Sequence, residues 1–188
     1  MMSVNVDLFY FINHNLQNPI CDAVMPYITH FGGFVWLLII LIVLIVYAKL
    51  RNNETLKKVA ILALCALLFA DLIAYAVKLI VQEPRPYLTM DNVRLLIHED
   101  DVFAFPSGHA TSTLAVVSIF FMKIKDLVKK HYNLAKILLI LFAVIIMFSR
   151  VYCGVHYPFD VLVGAIIGIA GALVIKKYEN KILGKLCK

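Results

Sequence analysis

The chain has 188 residues, 62% of them hydrophobic and only 16% charged, and its mean hydropathy is +0.87. This composition is too apolar for a soluble globular protein, and it excludes an intrinsically disordered chain, which needs low hydrophobicity. Four cysteines are too few and too scattered for a disulfide scaffold. The sequence therefore predicts an all-α polytopic bundle of membrane helices that forms a single domain over residues 1–188.

The first predicted element is an interfacial helix over Val4–Leu16, in which leucine, isoleucine and phenylalanine alternate with asparagine and aspartate. It lacks the basic n-region of a signal peptide. Asn18 and Pro19 then have the residue types of an N-cap and a first helical position. We expect a helix to begin there and to bend near Pro26 or at Gly32-Gly33.

Five stretches are apolar and long enough to cross about 30 Å of hydrocarbon. Their polar boundaries place them at Phe31–Ala48, Val59–Val81, Ser107–Met122, Leu134–Phe148 and Pro158–Ile175. The last stretch contains glycines at spacings that allow close contact between helices, namely Gly164, Gly168 and Gly171.

The basic residues are divided unequally between the two sides of this predicted bundle. Of the 18 lysines and arginines, fourteen fall on one side: Lys49, Arg51, Lys57, Lys58, Lys123, Lys125, Lys129, Lys130, Lys136, Lys176, Lys177, Lys181, Lys185 and Lys188. The positive-inside rule places that side in the cytoplasm, so the N-terminus is predicted outside and the C-terminus inside. The net charge of +6 is then explained by anionic lipid and indicates no nucleic-acid partner.

Of the four remaining basic residues, three lie in short motifs with chemical meaning. In the first motif Lys78 lies near the end of a span, and Arg85 follows it between Pro84 and Pro86. The prolines end the helix and stiffen the turn. A fixed guanidinium suits bidentate binding of phosphate oxygens, and a lysine adds a point charge. A lysine at a helix end also commonly just reaches toward the interface.

The second motif, Pro106-Ser107-Gly108-His109, opens the third predicted span. The free N–H groups and the dipole of a helix start favour a phosphate, and glycine allows close approach of the backbone. His109 would project from the first turn. A serine at this position also commonly acts only as an N-cap.

The third motif begins at Ser149-Arg150 and continues to His156 and Asp160. Asp160 lies four residues after His156, so its carboxylate can reach back one helical turn to an imidazole N–H. That contact fixes the tautomer and raises the basicity of the other ring nitrogen. Alternatively, Asp160 only complements the positive end of the helix.

Together the motifs resemble those of the type-2 phosphatidic acid phosphatase superfamily: lysine, six residues, Arg-Pro; then Pro-Ser-Gly-His; then Ser-Arg, five residues, histidine, three residues, aspartate. Five spans instead of the six common in that family resemble its short bacterial undecaprenyl-diphosphate phosphatases. The resemblance implies that His156, oriented by Asp160, is the nucleophile that forms a phosphohistidine. It implies that His109 protonates the leaving oxygen and then activates water. The phosphate would be bound by Lys78, Arg85, Ser107, Gly108 and Arg150, without a metal or cofactor.

The substrate implied is a lipid phosphate at the outer face of the cytoplasmic membrane. A polyprenyl diphosphate is the first alternative, and phosphatidylglycerol phosphate or phosphatidate is the second. Two other classes stay open: a vanadate-dependent haloperoxidase, which would be soluble, and a noncatalytic lipid-binding or transport protein. The sequence does not indicate an oligomeric state.

Three further features are interpreted as structural. Asp71 lies within a span and is expected to pair with Lys78 or to form a hydrogen bond inside the bundle. The acidic run His98–Asp101 could attract a divalent ion, but consecutive carboxylates are more typical of a solvated loop. Cys21 and Cys153 are the two cysteines predicted outside, and we do not expect them to form a disulfide.

Overall fold

A computed structural model of the chain describes residues 2–186. The described part contains nine α-helices and only an isolated β-bridge, between Pro84 and Phe103. The helices are α1 Met2–Tyr10, α2 Pro19–Ile28, α3 Phe34–Leu50, α4 Glu54–Val81, α5 Pro86–Thr89, α6 Gly108–Leu127, α7 Tyr132–Tyr152, α8 Pro158–Lys177 and α9 Glu179–Leu186. The all-α prediction is confirmed, while Lys188 of the predicted basic tail lies outside the described residues.

The N-terminal helix is present but is docked onto the bundle. After α1 the chain continues as a π-helix over Phe11–Asn15. Phe9 is fully buried against the ring of Tyr157, and Asn13 is also fully buried. The Asn13 amide donates to the carbonyls of Arg94 and Tyr152, both at 2.9 Å. These contacts tie the segment to loops of the bundle.

The helix predicted to start at Asn18 does so, and it bends at the glycine pair. The Asn18 side chain accepts hydrogen bonds from the N–H groups of Ile20 and Cys21, and Pro19 is the first helical residue. A 3-10 turn over Thr29–Gly32 follows α2, and the axis changes by 59° before α3. The turn packs tightly in the bundle, since a Cβ on Gly32 would collide with the Ile146 side chain.

Helix α6 lies at the centre of the bundle, where it contacts α3, α4, α7 and α8. Glycines on α8 allow α6 and α4 to pack closely against that helix. A Cβ on Gly164 would lie 2.5 Å from the carbonyl oxygen of Ser107, and one on Gly168 would collide with the carbonyl of Thr111. A Cβ on Gly171 would lie 2.9 Å from Cβ of Ala70 on α4. The prediction of close helix contact through these glycines is confirmed.

In the described part of the chain, three helices are long and apolar enough to cross a membrane: α4, α7 and α8. The bent pair Pro19–Gly32 and Phe34–Leu50 counts as a fourth span if it crosses as one unit. The predicted span Ser107–Met122 corresponds to α6, which has 20 residues but is not among them. Its buried Thr111, Ser112 and Thr113 explain the lower hydropathy, because a helix surrounded by other helices need not face lipid.

Candidate active site

The three predicted motifs meet at one end of the bundle. Helices α4 and α7 end there, and α6 and α8 begin there. A backbone hydrogen bond of 3.0 Å from the N–H of Ser107 to the carbonyl of Asp160 joins the starts of α6 and α8. Residues separated by more than eighty positions in the chain are thereby brought into one cluster of buried polar side chains.

The first motif is held by a short antiparallel contact between two loops. Gln82 ends α4 in a left-handed conformation with φ 51° and turns the chain back. The N–H of Ala104 donates to the Glu83 carbonyl at 2.7 Å, and the N–H of Arg85 donates to the Val102 carbonyl at 3.2 Å. This pairing places the segment before α6 directly beside Arg85.

The Arg85 guanidinium is 2% exposed and connects three parts of the cluster. Its Nη1 donates to the carbonyl of Val155 at 3.0 Å and to Nε2 of His156 at 3.1 Å. Its Nε donates to the carbonyl of Asp101 at 2.5 Å. The guanidinium is therefore fixed against the imidazole from one side and against the loop before α6 from the other.

These contacts determine the tautomer of His156. An arginine can only donate, so Nε2 of His156 accepts and its ring proton lies on Nδ1. Nδ1 faces Oδ2 of Asp160 at 3.4 Å, which confirms the predicted contact between the two side chains. The same carboxylate oxygen accepts a hydrogen bond of 2.8 Å from the N–H of Tyr157. Asp160 therefore also complements the start of α8, which was the alternative role predicted for it. A neutral His156 with a lone pair on Nε2 has the form of a nucleophile.

The surroundings of His156 keep it neutral. The side chain is 1% exposed, and this burial lowers the pKa of His156 well below its usual value. Three nearby cations, Arg150, Arg85 and Lys78, lower that pKa further. A depressed pKa preserves the Nε2 lone pair at and below neutral pH.

The second motif forms the start of α6. Ser107 is fully buried at the N-cap, and its Oγ accepts the N–H of Ala110 at 3.5 Å, as the capping alternative predicts. A Cβ on Gly108 would meet no other residue within 4 Å. The His109 ring lies against the bend before α3, since a Cβ on Gly33 would be 3.1 Å from its Nε2. The bend therefore makes room for the second histidine.

Arg150 is the most completely buried cation of the cluster, with its side chain 1% exposed. Its Nη1 donates to Oγ1 of Thr29 at 2.8 Å, and its Nη2 is paired with Oε1 of Glu99. Its buried Nε has no hydrogen-bond partner among the described residues. Ser149, its neighbour in the motif, instead donates to the carbonyl of Ile146 in its own helix at 2.7 Å.

The acidic segment before α6 is a largely exposed loop, as interpreted from the sequence, but two of its carboxylates also pair with cations of the cluster. His98, Asp100 and Asp101 are exposed, whereas Glu99 is half-buried and pairs with Arg150. Lys78 donates to Oδ2 of Asp101 at 2.6 Å. Burial raises the pKa of Asp101, but the hydrogen bonds from Lys78 and the Phe103 N–H outweigh it and hold that pKa below its usual value. In the described part, no group of three or more His, Cys, Asp or Glu side chains could hold a metal ion.

The other residues singled out from the sequence lie apart from the cluster. Arg94, the fourth basic residue of the predicted outer side, pairs with Asp22. Asp71 accepts a hydrogen bond of 2.7 Å from the Ser112 hydroxyl inside the bundle, while Lys78 pairs elsewhere. Cys21 and Cys153 are both free, as expected.

Three residues of the cluster were missed: Thr29, Glu99 and Asp101. Thr29 lies beside the glycine bend and is fully buried, and an unexplained threonine near a predicted kink was the available signal. For Glu99 and Asp101 the signal was electrostatic, because three cations predicted at one site require counter-charge when buried. Their pairing with particular cations depends on the path of an irregular loop, which no periodicity reveals.

The sequence is similar to those of known proteins over most of its length. The family model of the PAP2 superfamily matches residues 59–183, which include all three motifs. An undecaprenyl-diphosphatase from Sulfolobus acidocaldarius is 29% identical over 87% of this chain and 73% of its own length. Phosphatidylglycerophosphatase B from Bacillus subtilis is 31% identical over 89% of this chain and 79% of its own length.

A solved structure has the same fold. The crystal structure of a transmembrane PAP2-type phosphatidylglycerolphosphate phosphatase from Bacillus subtilis superposes with a TM-score of 0.80 at 27% identity. The match covers 96% of this chain and 87% of that chain. The similarity therefore extends from the N-terminal helix to the last helices and is not confined to the motifs.

Proposed function

This chain belongs to the PAP2 superfamily and is a lipid phosphatase, and we propose that it removes the terminal phosphate of a polyprenyl diphosphate such as undecaprenyl diphosphate. The observation that carries this proposal is the His156–Asp160 pair set against three cations at one end of the bundle. The relative from Sulfolobus acidocaldarius, named for that diphosphatase activity, supports the choice of substrate. The monophosphate product would be available again as a carrier for envelope precursors.

We place the site at the outer face of the cytoplasmic membrane, with five crossings, the N-terminus outside and the C-terminus inside. Four crossings are the bent pair, α4, α7 and α8, and α6 is the fifth because its 20 residues extend about 30 Å. The lysine-rich connections lie at the end opposite the motifs, which the positive-inside rule assigns to the cytoplasm. A headgroup at the outer interface would then reach His156 while its tail remained in lipid.

In the proposed first step, Nε2 of His156 attacks the terminal phosphorus in line with the leaving oxygen. Asp160 accepts the Nδ1–H and stabilises the positive charge that grows on the ring. The bond from phosphorus to the leaving oxygen breaks as the N–P bond forms, which gives a phosphohistidine. The substrate phosphate must take over the position near Nε2 that Arg85 contacts in this structure.

His109 is the proposed general acid and base. It protonates the leaving oxygen in the first step, and it then deprotonates the water that hydrolyses the phosphohistidine. The equatorial oxygens would be bound by Lys78, Arg85, Arg150 and the α6 start at Ser107 and Gly108. Every group in this scheme belongs to the end of the bundle where the motifs meet.

A phospholipid monoester is the second candidate substrate. The observation that favours it is the relative from Bacillus subtilis named phosphatidylglycerophosphatase B, which is 31% identical, together with the TM-score of 0.80 to a phosphatidylglycerolphosphate phosphatase. Both candidates present a terminal phosphate on a lipid, so the chemistry at His156 is the same. They differ in the group that leaves.

Phosphate release by the purified protein in detergent with EDTA tests both candidates. Undecaprenyl diphosphate and phosphatidylglycerol phosphate are compared in the wild type, in His156→Ala and in His98→Ala, whose exposed histidine is the matched control. We expect preference for the diphosphate and a loss of at least about 10³-fold in His156→Ala only. A preference for the monoester would select the second candidate, and activity that survives His156→Ala would overturn the mechanism.

A chemical trap tests the intermediate directly. Labelled substrate, quenched in alkali during the first turnover, before the intermediate is hydrolysed, should leave phosphate on the wild-type protein, because phosphohistidine survives base and is lost in acid. His156→Ala should remain unlabelled. Label that survives acid would point to a different nucleophile.

A further inference from the structure

The cations of the proposed phosphate site are already paired with carboxylates of the same chain. Asp101 Oδ2 lies 2.6 Å from Lys78 Nζ and 3.9 Å from Arg85 Nη2. Glu99 pairs with Arg150, and its other oxygen lies 3.9 Å from the same Arg85 Nη2. Each carboxylate thus bridges two cations, which is the arrangement that an anionic phosphate oxygen would adopt.

The carboxylates lie nearer to solvent than the cations they bridge. The side chains of Arg150 and Arg85 are 1% and 2% exposed, whereas Glu99 and Asp101 are 22% and 44% exposed. A ligand that approaches from the headgroup layer would therefore meet the two carboxylates first. It could reach the guanidinium groups only by displacing them.

The two carboxylates can leave the cations while the backbone of their segment stays in place. The Asp101 carboxylate is held by Lys78, by the N–H of Phe103 and by a 3.9 Å contact with Arg85. The Glu99 carboxylate is held by Arg150 and by a 3.9 Å contact with Arg85, and both carboxylates are partly exposed, so side-chain rotation toward water is open to them. Displacement of the side chains does not require the bundle to change.

We propose that Glu99 and Asp101 are specificity-determining residues that act as internal anions, so that only a terminal phosphate, with two or more negative charges, gains access to the cations. This inference rests on the proposed function. Three cations and two carboxylates leave a net charge of one, counted over Lys78, Arg85, Arg150, Glu99 and Asp101. A dianion replaces both carboxylates without loss of charge balance, and a phosphodiester with a single charge does not.

Selectivity for a dianion would protect the site from the phosphodiester lipids that surround it. Phosphodiester headgroups surround any site in the headgroup layer, and anionic lipids accumulate near basic clusters. A bare cluster of three buried cations would bind these diesters and be blocked. Two tethered carboxylates compete with the diesters at high effective concentration, because they are held beside the cations by the chain itself.

Inhibition constants for two probes test the proposal: inorganic phosphate, and phosphatidylglycerol in neutral detergent micelles. They are measured in the wild type, Asp101→Asn, Glu99→Gln and the double variant, with whichever substrate the protein hydrolyses. Asp100→Asn is the matched control, because it removes the same charge from an exposed neighbour with no ion pair among the described residues. The two probes separate a free phosphate dianion from a lipid phosphodiester.

We expect phosphate to inhibit Asp101→Asn about threefold more strongly than the wild type, and the double variant about tenfold more strongly. Phosphatidylglycerol should inhibit the double variant and leave the wild type and Asp100→Asn unaffected. Unchanged inhibition constants in the double variant, or equal changes in Asp100→Asn, would overturn the proposal. Weaker binding of phosphate in Asp101→Asn would also overturn it, since that result assigns the carboxylate a positioning role.

A second measurement keeps the test independent of turnover and of folding defects. Phosphate should raise the thermal midpoint of Asp101→Asn more than that of the wild type, because a ligand that binds more tightly stabilises the folded state more. Asp101 is the more exposed carboxylate, so we expect Asp101→Asn to fold even if Glu99→Gln, which leaves buried Arg150 unpaired, fails to fold. If the protein hydrolyses no lipid phosphate but the thermal midpoint shifts as expected, the proposed function is wrong, while the proposal that Glu99 and Asp101 compete with phosphate for the cations is supported.

Discussion

Ion pairs occur at both ends of the bundle, but their burial differs. At the motif end the guanidinium groups of Arg85 and Arg150 are 2% and 1% exposed. At the opposite end Lys123 and Lys176 pair with Glu179 at 2.9 Å and 2.6 Å, with side chains 17%, 35% and 20% exposed. The carboxylates are partly exposed at both ends, and what distinguishes the motif end is that its guanidinium groups are buried.

This difference in burial is what we expect between the proposed phosphate site and a cluster of structural ion pairs. Solvent-exposed ion pairs contribute about 0–1 kcal/mol each, a small addition to the packing of Ile182 and Leu183 of α9 against the core. Burying a guanidinium costs several kcal/mol unless all its donors are paired, and Nε of Arg150 has no partner among the described residues. Stability alone does not account for such a residue, whereas a phosphate that supplies more acceptors does.

Replacement of Arg150 should cause the largest loss of activity relative to a comparable replacement at the opposite end of the bundle. Lysine keeps the charge but cannot bind Thr29 and Glu99 with one planar group, so we expect kcat/KM of Arg150→Lys to fall by about 10²–10³-fold. Lys123→Arg at the opposite end should remain within about twofold of the wild type. Phosphate release under single-turnover conditions measures both. Retention of full activity in Arg150→Lys would place this residue with the structural ion pairs.

Replacement of one glycine at each end tests whether tight helix packing also distinguishes the two ends. In Gly164→Ala the new Cβ would lie 2.5 Å from the Ser107 carbonyl and would force α8 away from the start of α6. We expect the free energy of unfolding to fall by about 1–3 kcal/mol, with loss of activity because His156 moves with α8. Thermal unfolding in detergent measures the change.

Gly184→Ala is the matched control at the opposite end. A Cβ there meets no other residue within 4 Å, and alanine favours the α9 helix by about 0.5–1 kcal/mol. The midpoint should rise slightly and activity should stay unchanged. Equal destabilisation by both replacements would show that close approach of α6 and α8 is not what positions the motifs.

Acidification should affect the motif end selectively. The pKa of His156 is lowered by burial and by the nearby cations, so the unfolded chain binds a proton below about pH 6.5 that the folded protein does not bind. The stability contributed by neutral His156 is therefore complete above pH 6.5 and is lost as the pH falls toward its folded-state pKa. Thermal midpoints between pH 8 and pH 5 should fall more steeply in the wild type than in His156→Gln. Parallel curves would contradict a depressed pKa.

The motifs were predictable because their chemistry is encoded locally. The spacing of His156 and Asp160 places them one turn apart wherever a helix begins at Pro158, and the glycines of α8 mark its packed face. That the three motifs meet at one end followed from the order of the apolar segments. These are consequences of short-range pattern and of alternation across a membrane.

What could not be predicted depends on irregular backbone or on burial among other helices. The turn that brings Thr29 to Arg150 precedes a 59° bend whose direction is set by packing. Glu99 and Asp101 were interpreted as solvated because a run of carboxylates carries no information about the path of its loop. The low hydropathy of α6 reflects its central position, which is a property of the assembled bundle.

The smallest expected effect on stability is that of removing the carboxylate at the end opposite the motifs. Glu179→Gln removes the shared partner of Lys123 and Lys176, and it should reduce the free energy of unfolding by at most about 1 kcal/mol because water replaces the lost contacts. The loss should shrink further at high salt, since exposed charges are screened. Thermal midpoints at low and high salt, with phosphate release as the second readout, check this. A large loss of activity would mean that the ion pairs of Glu179 are coupled to His156, and burial would then not be what separates the two ends.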